Sequence, residues 1–289
     1  MRWSVLVLVG CLSLYAPVEA ADTASGAVTV QKLGAISPKY AAAYLVRDQR
    51  NARTSQIEIL LAESPLDAKV IQTAFDPHMV AINLDALRDR NYVLLFVTPD
   101  GRVGMNATFG KTMTQFLNDT GDGLKAEFTT KTAARLEGRV FSGGPLKTLD
   151  GSSYTVDLRF GVDIPAAPAA TALPAGGGDP GKAFTAFAGV TAKKNWTAIR
   201  AASSPAALEL FDKSYNTPAE NAESAEMLLK AWVPVQKMKV TGGQLRGDTA
   251  ILDVEGEVFP GTMGLSRVQM VKIGDVWKFD KAARAGMLP

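Results

Sequence analysis

Residues 236–281 read QKMKVTGGQLRGDTAILDVEGEVFPGTMGLSRVQMVKIGDVWKFDK. Apolar and polar residues alternate along this stretch, which is typical of half-buried strands, and glycine-containing turns interrupt the alternation. The turns are expected at Gly242-Gly243, Pro260-Gly261 and Gly274-Asp275. The pattern predicts an antiparallel sheet whose strands are Gln236–Thr241, Thr249–Val258, Leu265–Ile273 and Val276–Lys281.

Segments with helical spacing precede this predicted sheet. Apolar residues recur at helical intervals over Ala183–Ala201, and Ser204-Pro205 is typical of the start of a second helix. A third helix is predicted over Ala219–Trp232. Helices followed by an antiparallel sheet predict an α+β domain over residues 182–289.

This order of elements, with the ending Met270-Val-Lys-Ile-Gly-Asp-Val-Trp-Lys-Phe-Asp280, resembles the nuclear transport factor 2-like superfamily. The resemblance is to its small secreted members of lumazine-binding-like or cystatin-like form, and it covers residues 182–289. It implies an α+β cone in which a curved antiparallel sheet wraps around helices, often with a pocket between them. Members include isomerases, dehydratases, binding proteins and structural modules, so the fold does not by itself select a function.

The N-terminal part, residues 27–163, is predicted to be a mainly β domain. Short β-branched and aromatic runs bounded by turn residues indicate a sandwich or a partly open barrel. Helices are expected only at Pro38–Leu45, Ala68–Phe75 and Lys111–Asn118. The predicted strands are Ile57–Leu61, Tyr92–Val97, Val103–Phe109, Lys125–Thr129, Arg135–Phe141 and Tyr154–Val162.

Residues 164–181, IPAAPAATALPAGGGDPG, are predicted to link the two domains. Pro and Gly recur there without a periodic apolar face, so the segment is expected to form no packed element.

Residues 1–20, MRWSVLVLVGCLSLYAPVEA, are typical of a bacterial secretory signal peptide that is cleaved after Ala20. This predicts a periplasmic or secreted protein. The alternative is a lipoprotein anchored through Cys11, because Leu8-Val9-Gly10-Cys11 resembles a lipobox. The apolar run is too short to span a bilayer, and no later segment is apolar over the required length, so no transmembrane span is expected.

The composition excludes several classes of protein. The chain has 289 residues, 31 Lys and Arg against 29 Asp and Glu, one Cys and one His. Without clustered positive charge, we expect no nucleic-acid partner. One Cys and one His cannot build a zinc site, which leaves only carboxylate-rich metal sites. No cofactor is predicted, and the oligomeric state stays open.

Aromatic residues of the C-terminal domain are the candidates for lining a ligand pocket, although the same spacing is typical of a plain core. Asp212 and Tyr215 are the candidates for acid–base chemistry on a carbonyl ligand, and no catalytic residue is assigned. The candidate ligand-binding residues are Phe187, Trp196, Phe211, Trp232 and Trp277.

Three other features have the residue types of a functional site but favour simpler structural roles. His78 follows Asp76-Pro77 and is interpreted as an exposed turn residue. Asn118, Thr120 and Asp122 match the first half of a calcium loop, but Thr129 stands where a bidentate acid is needed, so a polar turn is favoured and no metal is predicted.

The third feature is a row of carboxylates on one face of a predicted strand, formed by Asp253, Glu255 and Glu257. Lys237 and Lys239 alternate in the same way on the preceding strand. We interpret the row as cross-strand charge pairing on a solvated outer face.

These observations favour an exported, non-enzymatic protein that binds or scaffolds a partner protein or a small apolar ligand. The alternative is a pocket enzyme, a hydrolase or isomerase, that uses Asp212 and Tyr215 in the C-terminal domain. A component of envelope assembly is a third possibility, which a large exposed apolar patch would indicate.

Overall fold

Strands account for 51% of the chain in the computed structural model. The structure describes residues 22–115, 123–166, 169–215, 226–227, 229–230, 233–234 and 236–289. The chain is mostly β and contains a curled antiparallel sheet, which agrees in outline with the predicted strand-rich N-terminal part and curved C-terminal sheet. Within these ranges, no helix is long and apolar enough to cross a membrane. The predicted signal peptide, Cys11 and most of the predicted helix Ala219–Trp232 lie outside the described residues.

The larger sheet is antiparallel and comes from the N-terminal part of the chain. Its strands are β1 (Thr23–Val30), β2 (Gly34–Ile36), β3 (Tyr40–Arg47), β4 (Ser55–Ala62), β5 (Tyr92–Val97), β6 (Val103–Phe109), β7 (Thr112–Gln115), β8 (Leu124–Lys131), β9 (Arg135–Ser142), β10 (Leu146–Lys147) and β11 (Ser153–Asp163). They run in the order β7-β6-β5-β4-β3-β1-β11-β9-β8, while β2 pairs with β1 and β10 pairs with β11. All six strands predicted for this part are therefore present.

Alternation along the strands gives the larger sheet two apolar faces. In β4, Ile59 and Leu61 pack into the larger apolar core on one face of the sheet. Leu60 packs into a smaller core on the other face, with residues of helices α1 (Ala68–Thr73) and α2 (Pro77–Ile82). A short 3-10 helix, Asp85–Leu87, follows α2. The two helices therefore cover part of the outer face of β3, β4 and β5.

The helix predicted over Pro38–Leu45 is wrong, because this segment forms β3. Ala41 and Ala43 pack into the larger apolar core, while Ala42 and Tyr44 pack on the face that α1 and α2 cover. Burial on both faces of a central strand outweighs the helix propensity of alanine.

Two other helix predictions for this part have different outcomes. The helix predicted over Ala68–Phe75 is confirmed as α1. The helix predicted over Lys111–Asn118 is wrong in its described part, because β7 pairs with β6 and continues the sheet. The sequence of β7 is short and polar, so the pairing with β6 decides its conformation.

The smaller sheet is formed by the C-terminal part of the chain, and each strand pairs with the next. Helices α3 (Gly178–Ala192), α4 (Trp196–Ala202) and α5 (Pro205–Tyr215) pack on one of its faces. The strands are β12 (Thr171–Leu173), β13 (Gln236–Arg246), β14 (Thr249–Phe259), β15 (Thr262–Ile273) and β16 (Val276–Met287).

The single helix predicted over Ala183–Ala201 is wrong, because the chain forms α3 and α4 instead. Lys194 has a φ of 54°, which ends α3, and the Asn195 side chain then caps α4 by accepting a hydrogen bond from the N–H of Ala198 at 3.1 Å. The start predicted at Ser204-Pro205 is confirmed, because α5 begins at Pro205.

The turn predicted at Gly242-Gly243 is also wrong, because β13 runs through both glycines to Arg246. The register with β14 shifts between Val240 and Gly242, which marks a bulge. Gly243 has a φ of 154°, and a Cβ there would overlap the carbonyl oxygen of Ile251. Glycine is therefore used for close approach of two strands and not for a turn.

The segment 164–181 is more ordered than predicted. Thr171–Leu173 forms β12 on the edge of the smaller sheet, and α3 begins at Gly178. The N–H of Gly176 donates a hydrogen bond to the carbonyl oxygen of Val240 at 3.0 Å. The expectation that this segment forms no packed element is wrong for its second half, because backbone pairing needs no apolar face. The division of the chain into domains stays a prediction.

The end of β16 contacts the loop that follows β3. The N–H of Met287 donates a hydrogen bond to the carbonyl oxygen of Gln49 at 2.9 Å, and the N–H of Ala52 donates one to the carbonyl oxygen of Met287 at 2.8 Å. Gly286 packs against the backbone of Asp48 at this contact. These bonds hold the larger sheet beside the smaller one.

Candidate functional site

A cleft of about 630 Å³ lies between the two sheets, and we name it the intersheet cleft. One wall is the face of the smaller sheet that carries no helices. The other wall comes from the end of β3 and from residues 72–75 and 77, where α1 gives way to α2. The volume is in the range of sites that bind small molecules.

Alternation in the smaller sheet places charged side chains in this cleft. Leu252 and Val268 pack against the helices, so their neighbours Asp253 and Arg267 lie on the opposite face. Asp253 and Arg267 are also direct cross-strand partners of β14 and β15. The face interpreted from the sequence as solvated is thus, in part, a wall of the cleft.

The charge of the intersheet cleft is predominantly positive. Its lining contains four cationic side chains and one carboxylate, which are Arg47, Arg246, Arg267, Lys281 and Asp253. The Nη2 of Arg47 lies 3.9 Å from Oδ2 of Asp253, which is at the limit of an ion pair. Lys281 also pairs with Asp280, whose Oδ2 lies 3.9 Å from its Nζ. Two carboxylates thus face four cations, and the remaining positive charge favours an anion in the cleft.

Arg267 is a partly desolvated cation in this wall. Burial lowers the pKa of the Arg267 guanidinium, although an arginine remains charged in folded proteins. Its Nη1 donates a hydrogen bond to the carbonyl oxygen of Phe75 at 3.3 Å. Both Arg267 and Lys281 lie 5.5 Å from the centroid of the Phe75 ring. The ring therefore positions two cations beside each other at the cleft.

Arg246 adds a donor that lacks a partner. Its Nη2 donates a hydrogen bond to Oε1 of Gln244 at 2.9 Å. Its Nε is buried and has no hydrogen-bond partner among the described residues. Buried N–H donors are nearly always paired, so this position is suited to an acceptor that enters the cleft.

A smaller cleft of about 260 Å³ adjoins the first, and we name it the His78 cleft. Arg47, Phe75 and Arg267 line both clefts, so the two are continuous. The His78 cleft is also lined by Glu58, on the face of the larger sheet that α2 covers.

The interpretation of His78 as an exposed turn residue is wrong. Its Nδ1 lies 2.7 Å from Oε2 of Glu58, whose side chain is 1% exposed, while the His78 side chain is 25% exposed. The Nε2 of Gln56 donates a hydrogen bond to the other Glu58 oxygen at 3.2 Å. Asp76 caps α2 by accepting a hydrogen bond from the N–H of Met79, so Pro77 starts a helix that directs His78 toward β4.

The protonation of this group is set by Glu58. The hydrogen bond to Glu58 raises the pKa of His78, against burial, which lowers it. Tyr44 lies directly opposite Glu58 in the pairing of β3 with β4. Burial, and then the charge of Glu58, raise the pKa of Tyr44, which therefore stays protonated. The group is thus a buried carboxylate with a titratable imidazole at its exposed side.

The predicted ligand-binding aromatic residues pack on one another. Phe187 and Phe211 are buried and stack on Phe279, with ring centroids 4.3 Å and 6.3 Å apart. Trp196 packs on Phe211 at 6.0 Å, and Trp277 is half-buried against the same core. None of the four candidates lines the intersheet cleft or the His78 cleft. Their contacts are those of a core.

The other predicted site residues do not come together as a described site. Asp212 is half-buried and lines neither cleft. Among the described residues, no group of three or more His, Cys, Asp or Glu side chains could hold a metal ion. The candidates that lie outside the described residues are Asn118, Thr120, Asp122, Trp232 and the side chain of Tyr215.

The predicted charge pairing on β14 is confirmed for one pair, Lys237 with Glu257. The Nζ of Lys237 lies 3.1 Å from Oε2 of Glu257. Lys239 is the cross-strand partner of Glu255. Asp253 differs, because it faces Arg47 across the intersheet cleft.

A search of protein-family models finds no match for this chain, and neither the curated proteins nor the solved structures compared with it give one. The functional argument therefore depends on the residues of the two clefts.

Sequence reasoning did not identify Glu58, Arg47 or Arg267 as site residues, although Glu58 carried a signal. Glu58 interrupts the apolar run Ile57–Leu61, and a carboxylate within a buried strand requires a partner. Arg267 carried no signal, because Leu265–Ile273 also contains Ser266, Gln269 and Lys272 and is typical of an alternating strand. Arg47 carried no such signal, because it is an ordinary polar residue at the end of a strand.

Proposed function

We propose that this chain is an exported, non-enzymatic protein that binds a small anionic ligand in the intersheet cleft. The observation that carries the proposal is the charge of that cleft, whose lining holds four cationic side chains and Asp253. Guanidinium groups bind carboxylates, sulfonates and phosphates through paired N–H donors. Arg246 and Arg267 offer such donors at a cleft of suitable volume.

The anionic ligand replaces the apolar ligand expected from the sequence. The aromatic residues that would have bound an apolar ligand stack on Phe279 as core. The same packing gives no support to an enzyme built on Asp212, which lines neither cleft. A protein partner with an acidic segment would satisfy the same cations, so a scaffolding role fits the same site.

We also propose the division into a domain over 27–163 and a nuclear transport factor 2-like domain over 182–289. Support for the division comes from the apolar cores, because the core of the smaller sheet is a cluster separate from those of the larger sheet. Support for the superfamily comes from helices that precede an antiparallel meander. Export rests on the sequence of residues 1–20.

Isothermal titration with propanedisulfonate tests anion binding. Sulfonates keep their charge at all moderate pH values, so the probe reports only on the protein. We expect binding at low salt that weakens as salt is added, because the cleft attracts the probe electrostatically. Uncharged propanediol should not bind.

Two variants locate the binding. Arg267→Gln and Arg246→Gln should each weaken binding by about tenfold, which is the effect of losing one charge-assisted hydrogen bond. Arg88→Gln is the matched control, because Arg88 is 76% exposed and pairs with Asp85 away from the cleft. The proposal is overturned if the unmodified protein does not bind, or if all three variants bind as it does.

A further inference from the structure

The two clefts form one continuous binding space. Arg47 and Arg267 lie at their boundary, since each lines both. Lys281 and Arg246 belong to the intersheet cleft, and His78 belongs to the smaller one. A ligand that reaches from one cleft to the other would therefore contact fixed cations at one end and His78 at the other.

The contact with Glu58 fixes which nitrogen of His78 can serve a ligand. Nδ1 is engaged by the buried Glu58 carboxylate at 2.7 Å, and His78 lines the cleft with a quarter of its side chain exposed. The other ring nitrogen, Nε2, is thus the one available to the cleft. When the imidazole is protonated, Nε2 carries a hydrogen and donates, while in the neutral ring with its proton on Nδ1 it only accepts.

The charges around His78 are mixed, and their balance decides what it binds. Glu58 reaches it from β4, and Asp76 precedes it at the start of α2. Tyr44 on β3 stays protonated and contributes no charge. The cationic groups that line the same cleft are Arg47 from β3, Arg267 from β15 and Arg284 from β16.

We propose that protonated His78, with Arg47 and Arg267, forms a second anion subsite, so that the ligand of this protein carries two acidic groups. This inference rests on the proposed function and names its ligand class as a small dianion. One acidic group occupies the intersheet cleft near Arg246 and Lys281, and the other occupies the His78 cleft. Binding is then coupled to a proton on His78.

The hydrogen bond to Glu58 supports the proton coupling, because it raises the pKa of His78. The protonated form then persists to a higher pH than in an isolated histidine. Because the anion binds the protonated ring, affinity is full at acidic pH and falls as pH rises through the pKa of His78. The sequence contains one histidine, so no second imidazole contributes to this effect.

Titration calorimetry with propanedisulfonate and with monovalent propanesulfonate tests the subsite. We expect the disulfonate to bind about tenfold more tightly at about pH 6 than at about pH 9, the effect of one charge-assisted hydrogen bond. His78→Gln should abolish this pH dependence, and Arg88→Gln should retain it. The monosulfonate should bind more weakly at both pH values, because it can occupy only one of the two subsites at a time.

A proton NMR titration of His78 in the tag-free, unmodified protein gives a test that needs no variant. Saturating disulfonate should move the midpoint of the His78 titration to higher pH, because binding and protonation are linked. The inference is overturned if the midpoint does not move, or if disulfonate affinity is independent of pH. If neither sulfonate binds at either pH, the proposed function itself is overturned.

Discussion

Replacement of Glu58 by Gln removes a buried negative charge and keeps the shape of the side chain. The carboxylate is 1% exposed and lies 2.7 Å from Nδ1 of His78. Gln56 also donates a hydrogen bond to Glu58 at 3.2 Å, which an amide oxygen can still accept. The variant therefore changes chiefly the interaction with His78.

The loss of stability in Glu58→Gln should depend on pH, and the pKa of His78 decides whether the loss is larger at low or at high pH. Because Glu58 raises that pKa in the folded protein, the ion pair stabilises fully below the unfolded value of about 6.5 and its contribution is lost as pH rises through the folded value. A hydrogen bond to a charged group contributes about 1.5–3 kcal/mol. Glu58→Gln should thus lower the free energy of unfolding by about 2 kcal/mol near pH 6, and by about 1 kcal/mol or less near pH 9.

Urea unfolding followed by far-UV circular dichroism measures this difference. Tryptophan is absent between residues 22 and 195, so tryptophan fluorescence follows the C-terminal part separately. Glu209→Gln is the matched control, since Glu209 is exposed and pairs with Lys213 on the surface, and its stability should equal that of the unmodified protein at both pH values. An equal loss in Glu58→Gln at both pH values would refute the reasoning.

Two further substitutions test the packing that positions the clefts. Phe279→Ala should lower the free energy of unfolding by about 3–5 kcal/mol, because Phe279 is buried and stacked on Phe187. Phe259→Ala, at a half-exposed site, should lower it by under about 1 kcal/mol. Urea unfolding detected by tryptophan fluorescence measures both. Comparable losses in both would contradict the core assignment. Gly286→Ala should speed hydrogen exchange at the amides of Ala52 and Met287, because the new Cβ would lie 2.7 Å from the carbonyl oxygen of Asp48. Gly189→Ala, where nothing lies within 4 Å of the added carbon, should leave that exchange unchanged, and unaltered exchange in Gly286→Ala would refute the contact between the sheets.

Alternating strands were predictable from the sequence, because their period and their turns are local properties. Tyr92–Val97 and Val103–Phe109 were predicted with the bounds that the structure gives them. The alanine-rich strand Tyr40–Arg47 was not predicted, because alanine is also a strong helix former. Its strand conformation depends on burial of its two faces in two different cores, which is not a local property of the sequence. The bulge between Val240 and Gly242 likewise depends on a neighbouring strand.

The candidate site was harder to predict because it is assembled by contact between distant parts of the chain. Arg47 and Asp253 meet only when the two sheets lie side by side. The pairing of His78 with Glu58 depends on α2 packing over β4. The aromatic residues, by contrast, have a spacing that is the same whether they form a core or line a pocket. The sequence contains no feature that distinguishes these two roles.

The central claim is that the cations of the intersheet cleft bind an anion, and the NMR signals of arginine side-chain N–H groups test it most directly. The Nε of Arg246 is buried without a hydrogen-bond partner among the described residues, so an entering acceptor should change its environment. We predict that propanedisulfonate shifts the signals of Arg246 and Arg267 in a saturable way and leaves that of the exposed Arg88 in place. Unchanged signals from Arg246 and Arg267 at saturating probe would contradict the account.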